Sequence, residues 1–179
     1  MSTGRAARWL LLPLALLSLA TATELMPNVT GDVTLTTAGS PWVVKETVYV
    51  EETGSLTVKP GVTVLMTAGV SLIVHGQLVA EGTSTDHIVF TLLDTRNRTE
   101  DLQPDPLPVD CLGLPHWGVI ALLNSSTSHR LNYVDILCGG QEASDTSAAG
   151  RKSALYVTSN VLSIRFVLCF MPLEALSVI

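Results

Sequence analysis

Cysteine, basic residues and helical periodicity are all scarce in this 179-residue chain. Lys and Arg number 10 against 16 Asp and Glu, for a formal net charge of -6, and the basic residues form no cluster. A nucleic-acid-binding surface needs such a cluster, so the composition excludes nucleic acid as a partner. Because no window before Gly150 repeats apolar residues at helical spacing, that part of the chain is not expected to be helical.

Motifs that carry chemistry are also missing. Neither His-x-His nor His-Glu-x-x-His occurs, so we predict no metal site and expect the histidines to be structural or exposed. The four histidines are His75, His87, His116 and His129. Cleavage of a glycosidic bond needs two carboxylates a few ångströms apart, and the acids here are scattered. Only Asp135 and Arg130 fit a lyase mechanism, and we expect them to form a solvated ion pair. We therefore predict no catalytic residue and no cofactor.

The N-terminus has the three-part pattern of a secretory signal. Arg5 and Arg8 precede an almost unbroken apolar run at 10–20, and small residues at 20–22 suit signal peptidase. The run is too short to span a bilayer and lacks the amphipathic pattern of its alternative, a buried N-terminal helix. We predict a signal peptide at 1–22. The location is then secreted or extracellular, or the ectodomain of a plasma-membrane protein.

The sequence contains three Asn-x-Ser/Thr sequons. Because N-glycans are added in the secretory pathway, these sequons are candidate glycan acceptors if the chain is exported. The predicted glycan acceptors are Asn28, Asn97 and Asn124. One of them lies in the polar segment 94–116, which is rich in proline and charge and is predicted to be a loop. Such a loop either projects as a binding element or forms a flap that its glycan shields.

The three cysteines leave one thiol without a partner. In an oxidising compartment Cys111 and Cys138 could form a disulfide, since both lie near predicted strand ends. Cys169 would then remain unpaired, which suggests an intermolecular bond or a missing partner. The alternative is that all three are small buried apolar residues.

Short runs of Val, Thr, Leu and Ile between Gly and Pro predict an all-β chain. The predicted strands are 33–36, 42–44, 48–50, 56–58, 62–66, 72–74, 78–80, 88–92, 118–123, 131–137, 154–158 and 161–168. Ser-Leu-Thr-Val at 55–58 returns as Ser-Leu-Ile-Val at 71–74, so we expect Leu56 to stack on Leu72. Apolar residues at steps of eight are predicted to form a core ladder: Val48, Leu56, Val64, Leu72, Ala80 and Ile88.

Regular short strands with Gly corners favour a parallel β-solenoid with coils of about 16 to 25 residues. A β-sandwich is the alternative, but its hairpins favour Asn-Gly, Asp-Gly or Gly-Gly turns, which the first half lacks. A propeller needs blades of about forty residues, too many for a chain of this size.

Five phrases carry a resemblance to a known family: GSLTVKPGVTVLM, SLIVHGQLVAEGT, DHIVFT, HWGVIAL and LNYVDILCGG. They resemble the opening coils of right-handed parallel β-helix domains of extracellular proteins. With a signal peptide ahead, the region 42–140 is similar to the N-terminal region of the bark beetle family. Its members are large membrane-anchored proteins with β-helix repeats and scavenger-receptor cysteine-rich modules at cell–cell junctions. The resemblance implies that Trp117 stacks inside a coil. The chain departs from the family in having neither the scavenger-receptor cysteine pattern nor a convincing membrane span.

These inferences combine into one prediction of organisation and function. The expected segments are a signal peptide at 1–22, a lead-in or cap at 23–41, coils at 42–168 interrupted by the loop 94–116, and a tail at 169–179, which is truncated if the chain is a fragment. We expect a non-catalytic extracellular module for adhesion or recognition, whose partner is an extracellular protein or a glycan. Membrane association would come only through a missing C-terminal region. The alternatives are a carbohydrate-active β-helix enzyme and a truncated product that lacks the coils it needs to fold.

Overall fold

The computed structural model describes residues 22–93, 111, 115–123, 128–140, 153–158 and 162–170, the last of these by backbone only. This part of the chain is all-β, with 14 strands and one turn of 3-10 helix at Thr37–Gly39. The strands are β1 Thr23–Glu24, β2 Asn28–Val29, β3 Asp32–Leu35, β4 Trp42–Val44, β5 Val48–Val50, β6 Ser55–Val58, β7 Thr63–Met66, β8 Leu72–Val74, β9 Gln77–Glu81, β10 Ile88–Leu92, β11 Ile120–Leu122, β12 His129–Leu137, β13 Leu155–Val157 and β14 Leu162–Phe170. Within the same ranges no helix has the length and apolarity needed to span a membrane.

All strand pairs in the described residues are parallel, and each strand from β1 to β9 pairs with the strand three positions later. A nine-stranded sheet has the order β1-β4-β7-β10-β12-β9-β6-β3, with β14 beside β12, and a five-stranded sheet has the order β13-β11-β8-β5-β2. Strand β12 is long enough to pair with β9 through its first half and with β10 through its second half. Parallel strands in curled sheets, paired at this interval, are compatible with a solenoid.

The alternation of side chains along β5 and β6 separates the core from the outside. In β6, Leu56 and Val58 are buried, whereas Ser55 and Thr57 are partly exposed. Leu56 pairs in register with Val33 on one side and with Leu78 on the other. These aliphatic residues belong to one continuous core that runs between the two sheets.

The predicted ladder must be corrected. All six residues are buried: Val48, Leu56, Val64, Leu72, Ala80 and Ile88. They do not form one column, because Val48 pairs with Leu72 in the five-stranded sheet, whereas Leu56 pairs with Leu78 in the nine-stranded sheet. Leu56 and Leu72 therefore do not stack. A step of eight residues leads from one strand to the next within a layer. Paired residues of successive layers are 19 to 26 positions apart from β1 to β10, as in the pairs Thr23–Trp42 and Thr63–Val89. The separation rises to 48 between Leu72 and Ile120, across the segment 94–116.

Two predicted boundaries also change. The segment 23–41 is not a separate lead-in, because it carries β1, β2 and β3, which pair with the next three strands. Strands of two residues are too short to leave a period-two pattern in the sequence. At the other end, β14 reaches Phe170, two residues into the predicted tail. Residues 1–21 of the predicted signal peptide 1–22, and most of the predicted loop 94–116, lie outside the described residues.

Candidate recognition site

Two neighbouring turns of the chain bring His87, Tyr133 and Asp135 together, and we call these three residues the outer corner. Strand β10 begins directly after His87 and pairs with β12 so that Val89 lies opposite Asp135. Ile88 and its partner in β12 are fully buried, so the alternating position of Asp135 lies on the outside of the sheet. The outer corner is therefore built by register, not by nearness in sequence.

A hydrogen bond ties the two turns together at this point. Nδ1 of His87 lies 3.0 Å from Oδ2 of Asp135, and the two side chains are 35% and 14% exposed. A carboxylate can only accept, so Nδ1 must carry the proton. In the neutral ring Nε2 is then a hydrogen-bond acceptor. The second carboxylate oxygen, Oδ1 of Asp135, is buried without a hydrogen-bond partner.

Tyr133 takes a backbone conformation that large side chains rarely adopt. Its φ is +48°, in the left-handed region, and its ring centroid lies 5.4 Å from that of His87, with the planes tilted by 48°. Gly82 makes this bend possible: its N–H donates to the carbonyl of Asn132, and a Cβ there would lie 2.6 Å from the Tyr133 carbonyl oxygen. Such conformations cluster at functional sites, where the surrounding structure holds them in place.

The short loop 83–86, which leads into His87, is held in its conformation by hydrogen bonds between its own side chains. Oδ2 of Asp86 accepts hydrogen bonds from the hydroxyls of Thr83 and Thr85 at 3.1 and 2.7 Å. The Asp86 carbonyl accepts the N–H of Gly61 from the previous turn at 3.2 Å. His87 therefore follows a short loop whose conformation is held by hydrogen bonds.

The predicted pair between Asp135 and Arg130 is wrong. Nε of Arg130 lies 3.2 Å from Oε1 of Glu81, with both side chains about half exposed. The bend at Tyr133 separates the part of β12 that pairs with β9 from the part that pairs with β10, so Arg130 and Asp135 meet different strands. An exposed pair such as Glu81–Arg130 contributes little to stability. Sequence reasoning missed His87 because its partner lies 48 residues away.

A disulfide and a tryptophan hold the described residues at the end of the segment 94–116. Cys111 and Cys138 form a disulfide with a Cα–Cα distance of 5.3 Å, which is the pair that the sequence suggested. Trp117 is fully buried, and its Nε1 donates to the carbonyl of Leu137 at 2.7 Å. The indole therefore ties the entry to β11 to the end of β12.

His129 is buried inside the aliphatic core and is structural. Its Nδ1 accepts the backbone N–H of Leu78 at 3.2 Å, and its Nε2 donates to the carbonyl of Leu123 at 3.5 Å. Desolvation by burial lowers the pKa of His129 below its ordinary value of 6.5, and the hydrogen bond to Leu123 opposes this in part. A neutral ring satisfies both partners, whereas a protonated Nδ1 could not accept from Leu78.

The remaining predicted residues do not join the outer corner. Asn28 is exposed on β2, whereas Asn97 and Asn124 lie outside the described residues. Cys169 is placed in β14, in register with Ile136 of β12. Both His75 and His116 are partly buried. Over the described ranges, no group of three or more His, Cys, Asp or Glu side chains converges as a metal site would require.

The outer corner offers a ligand an imidazole acceptor, an aromatic ring and a carboxylate that holds the imidazole in place. The hydrogen-bonded loop 83–86 before His87 and the backbone bend at Tyr133 keep these groups in a fixed arrangement. Comparison of the chain with models of known families, with curated proteins and with solved structures found no match.

Proposed function

We propose that the chain is a right-handed parallel β-helix that serves as a non-catalytic extracellular module for adhesion or recognition, as in the N-terminal region of the bark beetle family. The observation that carries the proposal is the parallel pairing of each strand from β1 to β9 with the strand three positions later. Parallel strands joined by crossovers in one sheet are right-handed in nearly all proteins, which supports that handedness.

An elongated scaffold suits recognition because each turn adds only about 4.8 Å along the axis and contacts only its neighbours. Side chains at the same corner of successive turns are thereby held at fixed separations. His87 and Tyr133, whose ring centroids are 5.4 Å apart, are such a pair. A partner would thus meet a preformed surface.

The acidic groups near the outer corner favour recognition over cleavage. A glycosidase needs two carboxylates placed around one bond. The Asp135 carboxylate is instead bound by His87, and the Asp86 carboxylate accepts two threonine hydroxyls. Both acids therefore serve the local structure, and the carbohydrate-active enzyme is the second candidate.

An extracellular location fits two observations. The disulfide between Cys111 and Cys138 is stable in an oxidising compartment. The side chain of Asn28 is exposed on the first strand of the five-stranded sheet, where a glycan could be attached.

Secretion, adhesion and turnover test this proposal together. We expect the full chain, expressed in an animal cell line, to be recovered from the medium and to aggregate beads or retain cells when coated on them. Incubation with a panel of polysaccharides should release no reducing ends and no unsaturated sugars. Retention in the cytosol or failure to adhere would contradict the module. Turnover that is lost in Asp135→Asn would instead establish the enzyme.

A further inference from the structure

We propose that the outer corner binds a neutral sugar residue of a glycan, with a sugar hydroxyl donating to Nε2 of His87 and an apolar sugar face lying on the ring of Tyr133. This inference rests on the proposed function and deepens it, because it names the ligand class of the recognition module. Asp135 acts as a positioning residue that holds the imidazole.

The acceptor on His87 is prepared by its partner. Asp135 accepts from Nδ1 of His87 at 3.0 Å, so when the ring is neutral its lone pair lies at Nε2 and points in a fixed direction. The side chain is 35% exposed, which leaves the ring accessible from outside. A ligand hydroxyl is a donor of the size and polarity that this atom can accept. The hydroxyl can also accept in turn from solvent, so both partners remain satisfied.

The ring of Tyr133 lies beside the imidazole of His87, although the backbone of Tyr133 must adopt an unfavourable conformation to place it there. Tyr133 has φ +48°, a region in which Asn and Gly are far better tolerated than a bulky residue. Residues held in such conformations cluster at active sites and ligand-binding sites. The tilted contact with His87 leaves the two rings at an angle and not stacked flat. Apolar C–H groups of a sugar can pack on such a ring while its hydroxyls reach the imidazole.

The charges around the outer corner select against acidic sugars. The chain has a net charge of -6, and the neighbouring exposed carboxylate of Asp86 adds local negative potential. Among the described residues, Arg130 lies on the same strand as Tyr133 and Asp135 and is paired with Glu81 at 3.2 Å. Uronic and sialic acids would be repelled, so neutral hexoses, deoxyhexoses and N-acetylhexosamines are the ligand class.

Saturation-transfer NMR and titration with methyl glycosides test the site directly. The probes are the methyl glycosides of mannose, galactose, glucose, fucose and N-acetylglucosamine, with N-acetylneuraminic acid as the acidic comparison. The full chain is purified from a secreting cell line and measured before and after enzymatic removal of its N-glycans. Binding before removal indicates a site open to a partner's glycan. Binding only after removal indicates that a glycan of this chain occupies the site.

Three variants separate ligand contact from folding. Tyr133→Asn removes the ring and relieves the left-handed strain, so it should weaken binding about tenfold without lowering stability. Asp135→Asn should weaken binding about threefold to tenfold. Loss of affinity together with a lower population of the Nδ1–H form of His87 in long-range 1H–15N spectra, at unchanged stability, would show that Asp135 acts through the imidazole; loss of stability with unchanged affinity would show a merely structural role. His75→Asn, on another turn, should bind like the unmodified chain.

The failure of this inference is distinguishable from that of the proposed function. If no neutral glycoside binds in either glycosylation state, or if Tyr133→Asn binds as well as the unmodified chain, the sugar site is excluded. Bead aggregation that persists in that case leaves the recognition module intact. Sugar binding at the outer corner without any aggregation or cell adhesion would keep the site and overturn the adhesion role.

Discussion

The backbone N–H of Leu78 donates to Nδ1 of the fully buried His129 at 3.2 Å. The imidazole thus lies in an aliphatic core. Its Nδ1, and not a backbone carbonyl, accepts the N–H of Leu78. Because its other nitrogen donates to the carbonyl of Leu123, one ring links β9, β12 and the chain that follows β11. Its protonation state consequently bears on the stability of the fold.

His129 makes stability fall in acid. Its pKa is lowered in the folded protein by burial, so between that value and 6.5 the unfolded chain binds more protons than the folded one. The free energy of unfolding is therefore expected to decrease as the pH falls below about 6.5, the ordinary value. Urea titrations between pH 8 and pH 5 measure this slope. His129→Gln, whose amide can accept from Leu78 and donate to Leu123, should have a shallower slope. Equal slopes would exclude His129 as the group responsible.

Substitution of the inward residue of β6 should cost far more than that of its outward neighbour. Leu56 is 1% exposed and pairs with Val33 and Leu78, so Leu56→Ala leaves a cavity and should lower the free energy of unfolding by about 2–5 kcal/mol. Thr57→Ala, one residue later on the partly exposed face, should change it by about 0.5 kcal/mol or less. Chemical denaturation of both variants measures the difference. Similar losses would mean that the alternation in β6 is wrong.

Substitution of Gly82 is expected to destabilise the fold, because the backbone at Gly82 lies close to the backbone of β12. A Cβ would lie 2.6 Å from the Tyr133 carbonyl oxygen, so Gly82→Ala must displace β12 and should destabilise the fold by about 1–3 kcal/mol. Gly31→Ala is the matched control, because a Cβ there meets nothing within 4 Å, and it should be nearly neutral. Thermal unfolding of the two variants decides the matter. A neutral Gly82→Ala would argue against the close approach.

The disulfide should contribute measurably to stability. Cys111 and Cys138 are 27 residues apart, and a bond that closes a loop of this size stabilises by about 2–4 kcal/mol. Reductant should accordingly lower the melting temperature of the unmodified chain. The double variant Cys111→Ser with Cys138→Ser should melt at the reduced temperature and be insensitive to reductant. A melting temperature that reductant does not change would indicate that the bond is absent in solution.

Much of the strand content follows from local sequence. Each of the twelve runs predicted as strands overlaps an observed strand, because short β-branched runs between Gly and Pro have few other stable conformations. The strands β1 and β2 were not predicted. Each has only two residues, and their pairing with β4 and β5 is what makes them strands. Local pattern does not carry that information.

The candidate site was less accessible to sequence reasoning. Asp135 was singled out, but with Arg130, a neighbour in the chain, as its partner. Its actual partner, His87, lies 48 residues earlier, across the segment 94–116. The length of that segment hides the register from any pattern of fixed spacing.

By itself the sequence determined that this is an all-β chain of short strands, since the preference for a strand depends on neighbouring residues. It also determined that Leu56 and Leu72 are buried, because their runs are aliphatic. Only the tertiary structure decided that Leu56 pairs with Leu78 and that His87 meets Asp135. Those contacts depend on the number of residues between paired strands. Because this number varies along the chain, the sequence shows no single repeat length from which the pairing could be predicted.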